Sequence, residues 1–188
     1  RDRSFGVLAA NGSDGPLISH VPFLLNEAGD QADLHLVRSN PIARALKSAL
    51  PVKLAISGGD SYVSPDWYDI DDQVPTWNYV AVHLTGTLEL RPQEELLDLL
   101  DRQSAWFEDR LLPKPPWTTA KMNPVTMQKM MRMIVPCRMR ITGVDGTWKL
   151  SQNKADAVRL AAADGVEAHG FGAGTGSLAD QMRAAKGA

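Results

Sequence analysis

A small antiparallel β-barrel with peripheral helices is the fold this sequence predicts, and three observations predict it. From Tyr79 to Leu90 the residues alternate, with Val80, Val82, Leu84, Leu88 and Leu90 on one side and Tyr79, Ala81, His83, Thr85, Thr87 and Glu89 on the other. That is the period-two signature of a half-buried strand. The first half of the chain reads as short apolar segments joined by Gly, Asp and Pro turns, which is strand punctuation. Helices are set among and after the strands instead of alternating strictly with them, which argues against a doubly wound sheet.

The elements follow in order. Strands are expected over Phe5 to Ala10, Leu17 to Leu25, Ala32 to Val37 and Val52 to Ser57, the first two joined through Asn11-Gly12-Ser13-Asp14-Gly15-Pro16 as a hairpin. In the second, Leu17, Val21, Phe23 and Leu25 share a face with Ser19, and His20 lies opposite. Asn40 as cap and Pro41 in the first turn start a short helix, PIARALKSAL. After the Tyr79 strand, Pro92 with Glu94 and Glu95 opens a longer helix reaching 112, whose stripe is Leu96, Leu100, Phe107 and Leu111. Pro113, Pro115 and Pro116 end it.

A further helix starts at Asn123-Pro124, and its Met127, Met130, Met131 and Ile134 face reads as adaptable core. The strand Cys137 to Thr142 opposes Met139 and Ile141 to Arg138 and Arg140. Ser151 and Asn153 read as caps of an Ala-rich helix, and GFGAGTG reads as a linker to a last short amphipathic helix. The chain contains no internal repeat.

At 188 residues the chain reads as a single domain with a C-terminal helical extension from about residue 152 to 188. A formal net charge of −2 gives no global basic field of the kind that dominates non-specific nucleic-acid affinity. The single cysteine, Cys137, cannot form an internal disulfide, and no apolar run approaches the ~18 residues of a membrane span. A reducing cytoplasm is the expectation. No signal-peptide pattern is visible, but the chain opens at Arg1-Asp2-Arg3, one step before a strand, so that absence says little. His20, His35, His83 and His169 never stand in a short ligand spacing, so no metal is expected. No G-x-S-x-G elbow, Walker loop or helix-opening G-x-G-x-x-G is present.

What remains are polar and aromatic clusters on or beside strands. Arg38, Ser39 and Asn40 stand where a strand runs into a helix; a guanidinium, a hydroxyl and free backbone amides suit an anion, and an ordinary cap with a solvated arginine suits the same residues. SYVSPDWYDI adds a Trp and two Tyr with two serines. Thr76, Trp77, Asn78 and Tyr79 crowd a hydroxyl, an indole, an amide and a phenol onto one strand entry, which suits a flat hydrogen-bonding ligand, although the commoner use of such residues is a core or dimer contact. In KLSQN, capping explains Ser151 and Asn153 but neither Lys149 nor Gln152.

In this order, ISHVPFLL at 18–25, VRSNPIAR at 37–44, SYVSPDWY at 61–68, VPTWNYVAVHLTG at 74–86 and KLSQNKADAVR at 149–159 resemble the PaiB-type FMN-binding negative transcriptional regulators over nearly the full chain. The resemblance implies a six-stranded antiparallel Greek-key split barrel, homodimeric, with FMN at the dimer interface. It implies that Ser19, His20, Val21 and Pro22 lie along the isoalloxazine and that Arg38, Ser39 and Asn40 stand near the phosphate. The second subunit would contribute Trp77, Asn78 and Tyr79, with His83, or Lys149, Ser151, Gln152 and Asn153.

Three functions follow as expectations: an FMN-binding regulator, a flavin-dependent oxidoreductase such as a flavin reductase or pyridoxamine-phosphate-oxidase-like enzyme, or a cofactor-free interaction protein. In the second, protein orients cofactor while flavin does the chemistry. Neither the helix at 92–112, which mixes acids with Arg102 and Arg110, nor the last helix, with Arg183 and Lys186, carries a recognition pattern, which argues against direct DNA binding.

Overall fold

The computed structural model describes residues 3–186; the Arg1-Asp2 opening lies outside them. Six strands, β1 (Phe5–Gly12), β2 (Gly15–Leu25), β3 (Gln31–Val37), β4 (Leu50–Val63), β5 (Thr76–Leu90) and β6 (Ile134–Lys149), close into a barrel in the order β1-β2-β3-β6-β5-β4. Five helices accompany them: α1 (Pro41–Ala45), α2 (Leu96–Glu108), α3 (Pro124–Met131), α4 (Asp156–His169) and α5 (Thr175–Ala184). The result is an antiparallel six-stranded α+β fold, as expected.

The chain divides into two compact units, residues 1–55 with 84–144 and residues 56–83 with 145–188. In the first, β1 and β2 form a hairpin whose register, Gly12 opposite Gly15, leaves Ser13-Asp14 as a two-residue turn. Every second residue of β3, Ala32, Leu34 and Leu36, is buried, and the β6 partner of Leu34 is Cys137. Leu8, Val21, Phe23 and Met139 complete this core. Burial pushes the Cys137 thiol up to about 12, so it is an inert hydrophobe and not a nucleophile. Outside the barrel, Arg138 pairs with Asp33 (Nε to Oδ1, 2.7 Å) and Arg102 reaches the same carboxylate at 3.1 Å.

The second unit is built differently. Its core joins Val63, Tyr68 and Leu150 to Ala162, Ala163 and Val166 of α4 and Leu178, Ala179 and Met182 of α5. Arg159, buried on α4, donates from Nε to the Met182 carbonyl (2.8 Å) and from Nη1 to Asp156 (2.6 Å). GFGAGTG is docked: Asp60 N–H donates to the Ala173 carbonyl at 2.9 Å, and Phe171 stacks on Tyr62 (centroids 5.5 Å, 16°) and meets Trp77 edge-on (5.8 Å, 89°). It joins two helices, as read, but lies down as a strap.

Several boundaries differ from the sequence reading. α1 stops at Ala45, where Leu46 leaves helical geometry (φ −73°, ψ 64°), and β4 begins at Leu50 and runs through Gly58 and Gly59 to Val63, past the expected end at Ser57. A side chain on Gly58 would sit 2.7 Å from Val80 Cβ, so glycine there is what permits the close approach of the β5 residue. On α2 the buried stripe is Leu96, Leu99 and Gln103; Leu100 and Phe107 are half-buried and Leu111 is exposed, because the helix tightens into a 3₁₀ turn at Asp109. None of α3 is buried, and Met130 is exposed; Ile134 belongs to β6. The methionine face is therefore a half-covered one, with Met127 and Met131 half-buried, and not core. Ser151 and Asn153 cap nothing: α4 begins at Asp156 after Ala155.

Candidate functional site

In the first unit β2 turns Val21 into the core and leaves Ser19 and Pro22 half-buried and His20 exposed. Asn40 caps α1, its Oδ1 accepting from Ile42 N–H (2.9 Å), and its Nδ2 donates to Ser19 Oγ (2.9 Å). Both ends of that amide are thereby used, and the helix start is tied to the strand. Ser39 is exposed beside it. Arg38 donates from Nε to the Arg132 carbonyl and from Nη2 to Gln93 Oε1, both at 2.6 Å. Among the described residues its guanidinium bonds neutral oxygens only, so its positive charge is held in position without being cancelled.

Around His20 the hairpin presents a flat apolar strip that sequence reasoning missed. Phe5 stacks on His20 with centroids 6.3 Å apart and planes at 26°, and Phe5 and Ile18 are 58% and 61% exposed. The strand pattern contained a signal: β1 opposes Phe5 to Pro22 and Val7 to His20. Taken separately, the exposed planar apolar surface fits the ring of a flavin mononucleotide and the uncancelled guanidinium fits its phosphate.

In the second unit β5 sends Trp77, Tyr79 and His83 outward and buries Asn78 completely. Asn78 Nδ2 donates to Ser151 Oγ (2.9 Å) and to Met182 Sδ (3.5 Å), and Tyr68 Oη lies 3.2 Å from the same serine oxygen. Asn78 Oδ1 is buried without a partner among the described residues. Ser151 sits at φ 58, a left-handed position that costs a non-glycine residue about 1 kcal/mol or more and persists only where its surroundings fix it. Lys149 donates to Thr76 Oγ1 (2.6 Å). Gln152 folds back on its own turn, Oε1 accepting from Leu150 N–H (2.8 Å) and Nε2 donating to the Trp148 carbonyl (2.6 Å), which explains it as a clamp. Asn153 is exposed.

A cavity of about 210 Å³ opens among Tyr68, Thr76, Asn78, Lys149, Ser151 and Lys154. Lys154 and Tyr68 were not among the expected site residues, although SYVSPDWY and the residue after KLSQN held both. Among the described residues no three His, Cys, Asp or Glu side chains group as a metal site, and no helix is long and apolar enough to cross a membrane.

A family model described as "Putative FMN-binding domain" matches residues 1–143. The Bacillus subtilis protein named protease synthase and sporulation protein PAI 2 is 27% identical over 156 residues, 82% of this chain and 74% of that protein. Among solved structures, an FAD and heme binding protein from Mycobacterium smegmatis superposes with a TM-score of 0.52 at 17% identity, covering 90% of this chain and 74% of the other. The conserved hypothetical protein Rv2991 from Mycobacterium tuberculosis gives 0.52 at 17% identity, with 78% of each chain covered. At such identities the structures speak for the fold, and the family match speaks for the cofactor: the chain belongs to the FMN-binding domain family, whose flavin is FMN.

Proposed function

We propose that this protein is an FMN-binding regulator that acts as a homodimer, with the flavin held where two copies meet. The observation that carries the reading is the β1–β2 strip of Phe5, Ile18 and His20 in a unit that also presents Arg38 with its charge uncancelled. Ser19, His20 and the backbone around Val21 and Pro22 serve the ring edge; Arg38 and Ser39 serve the phosphate, with Asn40 fixing Ser19. The exposed aromatics Trp77 and Tyr79 of a second copy cover the ring. A dimer is the simplest way to remove such apolar strips from water. When bound, FMN supplies redox chemistry; the chain binds and orients it.

The regulatory part is supported by the relative whose name speaks of protease synthesis and sporulation. A cytoplasmic, single-domain protein with a C-terminal helical extension completes the proposal. Purified protein should show flavin absorbance bands, sediment as a dimer at micromolar concentration and oxidise reduced nicotinamide slowly. A stable monomer that retains flavin would remove the interface, and many turnovers per minute would make it an oxidoreductase instead.

A further inference from the structure

We propose that the cavity beside Ser151 binds a small free oxyanion, a phosphate or short carboxylate, as a second ligand distinct from the flavin. This stands independently of the regulator reading. The argument is a count of hydrogens. Gln73 Oε1 is occupied by Lys154 Nζ, and Thr76 Oγ1 by Lys149 Nζ. An ammonium carries three hydrogens, so each lysine keeps two after those bonds, and neither is paired with a carboxylate among the described residues, although Asp69, Asp71 and Asp72 lie on the preceding loop. Lys154 is also held over the Tyr68 ring, 5.3 Å from its centroid, which fixes its position.

Ser151 Oγ already accepts from Asn78, and Tyr68 Oη is its second neighbour. Only one of the two hydroxyl hydrogens can lie between those two oxygens; the other has no acceptor. Thr76 adds a third hydroxyl whose hydrogen makes no bond among the described residues. Among the buried side-chain atoms of this wall the unpartnered acceptor is Asn78 Oδ1, which is shut away from solvent, and Asn153 at the exposed rim adds an amide with both donor and acceptor. The wall therefore offers positive charge and more spare donors than free acceptors, which is the complement of an oxyanion. Its size makes the same choice: about 210 Å³ admits a phosphate or a short carboxylate but falls below the roughly 300 Å³ at which pockets for drug-sized ligands begin.

Inorganic phosphate and malonate, titrated calorimetrically into the flavin-free and FMN-saturated full-length protein, test this. At least one should bind both forms with equal affinity. Lys154→Met should weaken binding by roughly tenfold or more and Tyr68→Phe by less, since a charge-assisted contact is worth more than a neutral one, while FMN affinity stays unchanged in Lys154→Met. Tyr68→Phe keeps the test alive if Lys154→Met does not fold. No heat from either anion at millimolar concentration would overturn the proposal, as would binding unaffected by both substitutions. Loss of anion binding on saturation with FMN would also overturn it, making the cavity the cofactor's own phosphate subsite.

Discussion

Two polar clusters of similar composition meet opposite fates in this molecule. Ser19, Asn40 and Arg38 in the first unit join one hydroxyl to an amide, and Tyr68, Asn78 and Ser151 in the second join two. The first stays at the surface, with its arginine bonded to neutral oxygens; the second is buried and interlocked, with Asn78 at 0% exposure. A polar group in water is replaceable, because water competes for every bond it makes. A buried one is not, because losing its partner leaves the full cost of desolvation. The open cluster is thus suited to ligands and the closed one to holding a wall in place.

Asn78→Ala is the most direct way to break that contrast. It should cost about 2–4 kcal/mol, combining a lost buried hydrogen bond with the cavity left by the side chain, and chemical denaturation should detect it as a lowered midpoint at unchanged slope. A loss under about 0.5 kcal/mol, typical of surface sites, would mean that the cluster is not structural. In the open cluster the loss should appear in binding and not in folding. Arg38→Ala should weaken FMN by about 1.5–3 kcal/mol and leave riboflavin almost untouched, since a charge-assisted bond to the phosphate is all that separates the two ligands. Equal losses for both in a fluorescence titration would make Arg38 a brace between β3 and the Arg132 carbonyl.

Titration separates the units further. Burial holds His35 below its usual 6.5, opposed by the hydrogen bond its ring shares with the Gln103 side chain, so folding favours its neutral form. A group whose folded pKa is depressed contributes stability that is present above the unfolded value and lost as pH falls. The protein should therefore become less stable below about pH 6.5, and His35→Phe should flatten that slope. A second loss sets in as the pH falls below 3.8, from Asp33, where burial works upward but the Arg138 and Arg102 guanidinium groups prevail and lower it. The closed cluster of Tyr68, Asn78 and Ser151 contains no carboxylate or imidazole, so pH-dependent hydrogen exchange should show the surroundings of His35 and Asp33 loosening before that cluster as the pH falls.

Much of this was legible in the sequence, and the exceptions share a cause. The alternation from Tyr79 to Leu90 gave β5 because period two is a local property of a strand. Asn40 before Pro41 gave the start of α1 because a cap bonds within its own turn. The α3 methionines, by contrast, carry an apolar face at helical spacing of which no residue is fully buried, and spacing alone cannot say how completely a second surface covers it. The KLSQN motif failed in the same way: Ser151 looked like a cap, but its partners, Asn78 and Tyr68, lie 73 and 83 residues away. Arg38 was legible as a cation at a strand end, but the Arg132 carbonyl and Gln93 that hold it lie 94 and 55 residues away and were not.

The smallest expected effect belongs to the glycine-flanked strap. Phe171 is 61% exposed yet touches Tyr62 face to face and Trp77 edge-on, so its energy must come from the two ring pairs and little from burial. Such pairs contribute about 0.5–1.5 kcal/mol each beyond area, and exposure reduces the remainder. Phe171→Leu keeps an apolar side chain and removes the ring geometry. It should therefore lower stability by about 1 kcal/mol or less and change the environment of Trp77, visible as a shift in tryptophan emission. A loss several times larger, comparable to that of Asn78→Ala, would place Phe171 with the closed cluster, as a part that locks the second unit. A shift in emission with no loss of stability would place it with the open one, as an aromatic surface held ready for another molecule.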